Sequence, residues 1–253
     1  MQWRLIEQET FNAAMNMALD HAIYESVGNG RESPTIRFYK WKNNSVSIGA
    51  YQNQRDINII ECKKNNVDIV RRMTGGRAVY HDKVDFTYSF IAPLKIFDFS
   101  IKKAYSHVCQ SIINALKDLG IESSLQNKND IMVNNKKISG NAAKVMDKGI
   151  YLQHGTLIYD IDFVLMPKVL NINQELAKEK ITSISQLKKI SQKKIYETLK
   201  RNFVKGKNFK VEKFSEHELL RAEELVRKRY SDLEFTSGTL LKAKGACYVE
   251  SGN

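Results

Sequence analysis

The chain has 253 residues, 42 % of them hydrophobic, and a formal net charge of +12 from 40 Lys and Arg against 28 Asp and Glu; it is long enough for one large domain and has no apolar run of the roughly eighteen residues that a membrane span needs. The opening Met1-Gln2-Trp3-Arg4 leads straight into strand-like sequence without a basic start, apolar core and cleavage site, so a soluble, cytoplasmic protein is expected. The lysines are scattered, densest from Lys188 to Lys213, without the pattern of an RNA-binding sheet or a DNA-reading helix; no nucleic-acid partner is expected, and the same field would steer an acidic protein.

After a first strand, Phe11 to Val27 carries Met15, Ala18, Leu19, Ala22 and Ile23 at helical intervals and stops at Gly28, the pattern of an amphipathic helix. Thr35 to Trp41 and Ser45 to Tyr51 alternate as strands about Asn43-Asn44, a pair that tolerates positive φ and predicts a hairpin. A helix over Asn58 to Lys64 comes next. Val67 to Val70 and Ala78 to Tyr80 then read as strands flanking Arg71-Arg72-Met73-Thr74-Gly75-Gly76-Arg77, and Phe86 to Ala92 makes another. Ser100 can cap a helix whose inner face reads Ile101, Tyr105, Val108, Ile112, Ala115 and Leu119, ended by Gly120. Asp130 to Val133 and Lys136 to Ser139 predict a hairpin about Asn134-Asn135, and Ile150 to Asp160 a further strand. Ser191 to Val204, then a Ser215/Glu218 capping box, predict two helices packed on a sheet. Strands interleaved with helices and short hairpins give an α+β class, with mixed or antiparallel β-sheets flanked by helices.

Three segments carry candidate chemistry. The Gly75-Gly76 turn places backbone amides where an anion can meet them, although a plain hairpin loop has the same composition. Arg71 and Arg72 are neighbours on a strand and point to opposite faces, so only one reaches a shared pocket; Arg72, nearer the turn, is the candidate. The loop is neither a P-loop nor a dinucleotide fingerprint, because Gly-Lys-Ser/Thr is missing and no helix opens after it. Lys137, followed by Ile138-Ser139-Gly140, is an ammonium on a fixed strand beside small residues. Such a group can hold a carboxylate against a phosphate and later stabilise an oxyanion. Asn129-Asp130 offers a carboxylate of the kind a phosphate-bound Mg²⁺ uses, and routine turn chemistry explains the pair equally well. His81 and His154 have no nucleophile elbow to serve. Both are assigned to binding or pocket shape.

In this order, the arginine-glycine segment, Lys137 to Ala142, and His154-Gly155-Thr156-Leu157 resemble the lipoate-protein ligase A family, within the wider group of biotin and lipoate ligases and octanoyltransferases. The resemblance implies a biotin/lipoate ligase-like catalytic domain over residues 1–235 and a tail over 236–253. It implies ATP and Mg²⁺ as cofactors and lipoate or octanoate as substrate, activated to an acyl-adenylate. The acceptor it implies is a lysine of a lipoyl-acceptor domain, in the E2 protein of 2-oxoacid dehydrogenases or the glycine cleavage H protein. On the matching positions Lys137 is catalytic. Arg72, Thr74, Gly75, Gly76, Arg77, Val79, Tyr80, His81, Gly140, Ala142, His154, Gly155 and Thr156 bind lipoyl-adenylate, and Asn129 and Asp130 serve nucleotide and Mg²⁺, with Asp130 the metal ligand. Arg77 stands where the family usually has a third glycine. Single-chain ligases of the family carry a further C-terminal domain, so a separate small accessory protein is an expected partner.

The octanoyltransferases of the group take the acyl chain from an acyl carrier protein through a cysteine nucleophile, placed where this chain reads Ser123 to Gln126 or Lys168 to Asn173. Neither stretch holds a cysteine. Cys62, Cys109 and Cys247 show no disulfide or zinc spacing, and Cys109 reads as helix core. The expected activity is therefore an ATP-dependent lipoate-protein ligase. The alternative is an octanoyl or lipoyl transferase with a carrier-protein donor, and a basic binding protein without catalysis is the reading of another class.

Overall fold

The computed structural model describes residues 1–53, 56–126 and 129–231; the expected tail over 236–253, with Cys247, lies outside the described residues. In chain order the elements are β1 (Gln2–Phe11), α1 (Ala13–Gly28), β2 (Thr35–Trp41), β3 (Ser45–Ile48), α2 (Ile59–Lys64), β4 (Asp68–Arg71), β5 (Val79–His81) and β6 (Phe86–Pro93). There follow α3 (Ile101–Asp118), β7 (Ser124–Gln126), β8 (Asp130–Val133), β9 (Lys136–Met146), β10 (Ile150–Leu157), α4 (Leu165–Leu170), α5 (Gln174–Lys180), α6 (Ile184–Leu187), α7 (Gln192–Val204), β11 (Asn208–Val211) and α8 (Glu216–Leu225). Among the described residues no helix is long and apolar enough to cross a membrane.

The strands make two mixed sheets, one ordered β11-β1-β2-β6-β10-β9-β8-β7 and a small one ordered β4-β3-β5, which is the expected α+β class. Strand alternation sends the large sheet's side chains into two cores. On one face Leu5, Phe38, Phe90 and Tyr151 pack under α3 and α7, against Val108, Ile112, Leu199 and Phe203. On the other, Ile6, Tyr39, Ile91 and Leu152 meet α1, and Ala222 and Leu225 of α8 cover α1 in turn. A third cluster joins Val46, Ile48 and Tyr80 of the small sheet to Met166 and Ala177 of α4 and α5.

Side-chain caps fix where the helices start. Asn12 accepts from the Met15 N–H at 2.8 Å, Ser100 and Ser191 cap α3 and α7, and Ser215 with Glu218 closes the capping box of α8. Two expectations about helices change. α1 is buried on nearly every side rather than amphipathic, because sheet, α8 and the Val70–Met73 segment enclose it. α8 packs chiefly on α1, not on the sheet.

The two asparagine pairs show why only one hairpin forms. Asn134 and Asn135 have φ of 49° and 60°, the left-handed backbone of a tight turn, and join β8 to β9. Asn43 and Asn44 do not enter that region. The hairpin expected between β2 and β3 is therefore absent: β3 crosses into the small sheet and pairs between β4 and β5.

Arg4 of β1 is buried against Glu218 of α8, with hydrogen bonds of 2.9 and 2.5 Å, and has Glu32 as a more exposed partner at 3.3 Å. Glu218→Ala strands most of that charge. It should lower stability by about 3 kcal/mol, the low end for a broken buried pair because Glu32 remains. A lower urea midpoint with an unchanged slope would show it.

Candidate active site

Strict alternation along β9 would put Lys137 on the face of Ser139 and Asn141. Its pairing with β8 shifts register instead, from Ile131 opposite Ser139 to Met132 opposite Lys137, so Ile138 is an extra residue. This bulge sends Ile138 into the core under α3 and brings Lys137 onto the face of Gly140 and Ala142. With His154 and Thr156 of β10, those residues line a cavity of about 640 Å³. Asp130, opposite Gly140, shares the face and places Oδ1 2.6 Å from Lys137 Nζ. A Cβ at Gly140 would stand 2.8 Å from Lys137 Cε, so a side chain there would displace the ammonium.

The facing wall is the loop between β4 and β5. Gly49 abuts it so closely that a Cβ would lie 1.8 Å from the Gly76 carbonyl oxygen, and Gly76 itself has φ of 92°. Arg72 ties this loop down, donating to the carbonyls of Ser47, Gly75 and Arg77 at 2.8, 2.6 and 2.9 Å and to Thr74 Oγ1 at 3.2 Å. Burial pushes its guanidinium down to about 10. Arg72 lines the cavity with its donors already engaged, while Arg71 turns away to the carbonyls of Gly49 and Gln52.

Between the walls lie two bonded histidines. His154 Nε2 meets Thr74 Oγ1 at 2.6 Å and its Nδ1 meets Asp20 Oδ2 at 3.3 Å, so Asp20 favours the Nδ1–H tautomer and Thr74 donates to Nε2. Burial alone would raise the Asp20 carboxyl; Arg37 and bonds from His154 and Ser89 outweigh it and hold it below its ordinary value. His81 stacks on Trp41 at 4.3 Å and bonds Ser47 Oγ at 2.7 Å and Thr156 Oγ1 at 3.0 Å. Burial, then the charge of Arg72, drives its pKa well below the usual histidine value, so its ring is neutral.

The fold thus gathers Arg72, Gly76, Arg77, Val79, His81, Asn129, Asp130, Lys137, Gly140, Ala142, His154, Gly155 and Thr156 on one cavity. Three expected contacts lie behind the wall. Tyr80 alternates with Val79 and His81, so its ring enters the small-sheet core and its hydroxyl donates to Asp82. Thr74 is spent on His154, and Gly75 holds Arg72 through its carbonyl. The sequence reading did not single out Met17, Tyr39, Trp41, Tyr51, Thr87 or Asn141, which also line the cavity. Only Asn141 had a local signal, inside the Lys137 to Ala142 segment. Tyr39, Trp41 and Thr87 arrive through sheet pairing, Met17 through the α1 crossing and Tyr51 from the turn after β3.

Asp130 does not make a cation cage: its Oδ1 sits on Lys137, and no group of three His, Cys, Asp or Glu among the described residues could hold a metal. Asp130 offers a single carboxylate, which suits a Mg²⁺ carried by a bound phosphate rather than one held by protein ligands alone. Cys109 and Cys62 are buried, their thiols pushed up to about 12 and about 11 by burial, and neither lines the cavity.

Residues 12–204 match the lipoyl protein ligase A/B catalytic domain. The chain belongs to that family. It is 34 % identical to octanoyltransferase LipM of Clostridioides difficile, over 90 % of this chain and 95 % of that protein. It is 31 % identical to LipM of Brevibacillus brevis, over 92 % and 98 %, and 31 % to lipoate-protein ligase A subunit 1 of Thermoplasma acidophilum, over 96 % and 99 %. Among solved structures it resembles a lipoate-protein ligase A bound with ATP (TM-score 0.85, 30 % identity, 95 % of this chain and 100 % of that one). It also resembles the bipartite lipoate protein ligase of T. acidophilum, described with its E2 lipoyl domain (TM-score 0.84, 28 % identity, 96 % and 98 %). The recurrent relatives are octanoyltransferases, and they overturn the expectation of an ATP-dependent ligase in favour of the transferase alternative.

His81 gives the site a pH signature. Its folded pKa lies below the unfolded value near 6.5, so the unfolded chain takes the proton first: the stability His81 contributes is full above that value and lost as pH falls. Urea titrations from pH 7 to 5 should show His81→Asn with a shallower acid loss than the parent, by up to about 1.4 kcal/mol per pH unit.

Proposed function

We propose that this chain is an acyltransferase of the lipoylation class that moves an octanoyl group from a carrier-protein thioester to a lysine of a lipoyl-type acceptor domain. The observation that carries the reading is the Lys137–Asp130 pair, aimed by the bulge into a cavity bounded by Trp41, Tyr39 and Met17 on one side and by the Gly76 loop on the other. An octanoyl chain needs an apolar slot closed by one fixed charge at its carbonyl end, and the cavity offers both. The recurrence of octanoyltransferases among the relatives supports the donor class. The E2 lipoyl domain described with the bipartite T. acidophilum ligase supports the acceptor class. A net charge of +12 favours encounters with acidic carriers and acceptors.

The chemistry asks little of a nucleophile. A thioester is already activated and an amine can take its acyl group directly, so the transfer is read as a single displacement; the described cysteines, Cys62 and Cys109, are buried away from the cavity. The neutral acceptor amine attacks the thioester carbonyl, a C–N bond forms, the C–S bond breaks, and the amine's proton leaves with the carrier thiol. In the tetrahedral stage the carbonyl oxygen becomes an anion, and the Lys137 ammonium is the donor held beside it. Asp130 keeps that ammonium in place between turnovers.

The test is the intact mass of a lipoyl acceptor domain after incubation with the protein and octanoyl carrier protein. An octanoyl-sized increase is expected, and Lys137→Ala should slow it on the order of a hundredfold with the circular dichroism spectrum unchanged. Free octanoate with ATP, and preformed octanoyl-adenylate, form the other arms. Product in those arms and none from the thioester would reject the carrier-protein donor, and full activity in Lys137→Ala would reject the role of the ammonium.

A further inference from the structure

Tyr88 of β6, Gly155 of β10 and Asn141 of β9 stand directly opposite one another across three adjacent strands. Cross-strand neighbours share a face, so the glycine in the middle lets the outer two side chains meet over it. They do: Tyr88 donates from its hydroxyl to Asn141 Oδ1 at 2.6 Å. A Cβ at Gly155 would lie 2.2 Å from that same oxygen and 2.9 Å from the Tyr88 hydroxyl. Tyr88 itself does not line the cavity, whereas Asn141 does.

The direction of the bonds is determined. Burial raises the Tyr88 pKa well above its ordinary value, so the hydroxyl keeps its proton. Gln153 Nε2 donates to that hydroxyl at 3.0 Å, and Gln153 is itself fixed by the Tyr151 hydroxyl on its Oε1 at 2.5 Å. The Tyr88 proton is thus left to point at Asn141. With Oδ1 held there, the Asn141 amide must present Nδ2 on its other side, where it donates to the Asn129 carbonyl at 3.1 Å; the Asn141 backbone N–H reaches the same carbonyl at 3.1 Å. A flipped amide would set two donors against each other at Tyr88 and two oxygens at Asn129. Asn129 immediately precedes Asp130, whose carboxylate holds Lys137.

We infer that Tyr88 is a positioning residue, which sets the Lys137–Asp130 pair from outside the cavity by orienting the Asn141 amide against the Asn129 carbonyl. The inference rests on the acyl-transfer reading for its consequence, but the geometry it asserts can be read without turnover.

The experiment follows the labelling of Lys137 by an amine-acetylating reagent, with peptide mass spectrometry, in the whole chain. Tyr88→Phe should label Lys137 about fivefold faster than the parent, the population change expected for one lost hydrogen bond. Asn141→Ala should do at least as much, and the double variant no more than Asn141→Ala alone, because Tyr88 acts through that amide. Ser26→Ala removes a buried hydroxyl of α1 that bonds to none of these residues, and should label like the parent. In acyl transfer Tyr88→Phe should lower kcat by up to roughly a hundredfold while leaving KM for the donor unchanged. Gly155→Ala, which displaces the same amide, gives a second route to the labelling result if Tyr88→Phe does not fold. Parent-like labelling in Tyr88→Phe, an equal rise in Ser26→Ala, or additive effects in the double variant would overturn the inference. Absence of acyl transfer in the parent would reject the proposed function and leave the labelling result readable.

Discussion

Arg37 of β2 and Asp20 of α1 meet at 2.7 Å with both side chains out of water, and such a pair repays its desolvation only when the remaining donors and acceptors are also used. Here they are. Arg37 also bonds the carbonyl and side-chain oxygen of Asn16 and lies over the Tyr39 ring at 4.1 Å. Asp20 accepts from Ser89, Tyr39 and His154. Through these contacts the pair fastens the enclosed helix to three strands of the large sheet and carries the fixation on, by His154 and Thr74, to the loop that closes the cavity. The helix can be buried on nearly every side because Asn16 and Asp20, its polar residues on the sheet side, are answered from the strand beneath.

The cavity depends on phase as much as on residue type. Lys137 faces it because one extra residue resets β9, and Tyr80 misses it because nothing resets β5. Glycines act in the same geometric way. Gly140 leaves room for the Lys137 chain, Gly49 lets two backbones touch, and Gly155 opens a gap through which Tyr88 reaches Asn141. Each would be unremarked in a composition count, and each sets the place of a charge or an amide.

The class of fold and the position of most elements were legible because their signals are local: caps at Ser100, Ser191 and Ser215, an Asn134-Asn135 turn with the right backbone, and unbroken alternation in β2 and β6. The β2–β3 hairpin was misjudged because Asn-Asn permits a left-handed turn without requiring one. The three strands of the small sheet were expected but not their pairing apart from the large one, and β11 and the α4–α6 segment were not anticipated, since strands and helices of four to seven residues leave too little periodicity. The segments around Gly75, Lys137 and His154 did converge on one cavity, but its aromatic side came from β2, which carries no motif. The choice between ligase and transferase was argued from a cysteine that is not there. That logic assumes a covalent acyl-enzyme, and a thioester donor can pass its acyl group to an amine without one.

The first strand of the chain finds its outer neighbour last. β1 pairs with β11 across some two hundred residues, Gln2 opposite Asn208 and Leu5 opposite Val211, and Arg4 waits even longer for Glu218. At a synthesis rate of about 5–20 residues per second, that strand edge and its cation stay without these partners for on the order of ten seconds or more after they leave the ribosome. Closure of the sheet edge is thus a late, long-range event, of the kind that slows folding and exposes a strand to wrong pairing. Through that interval the open edge of β1 is a site where the growing chain can pair wrongly.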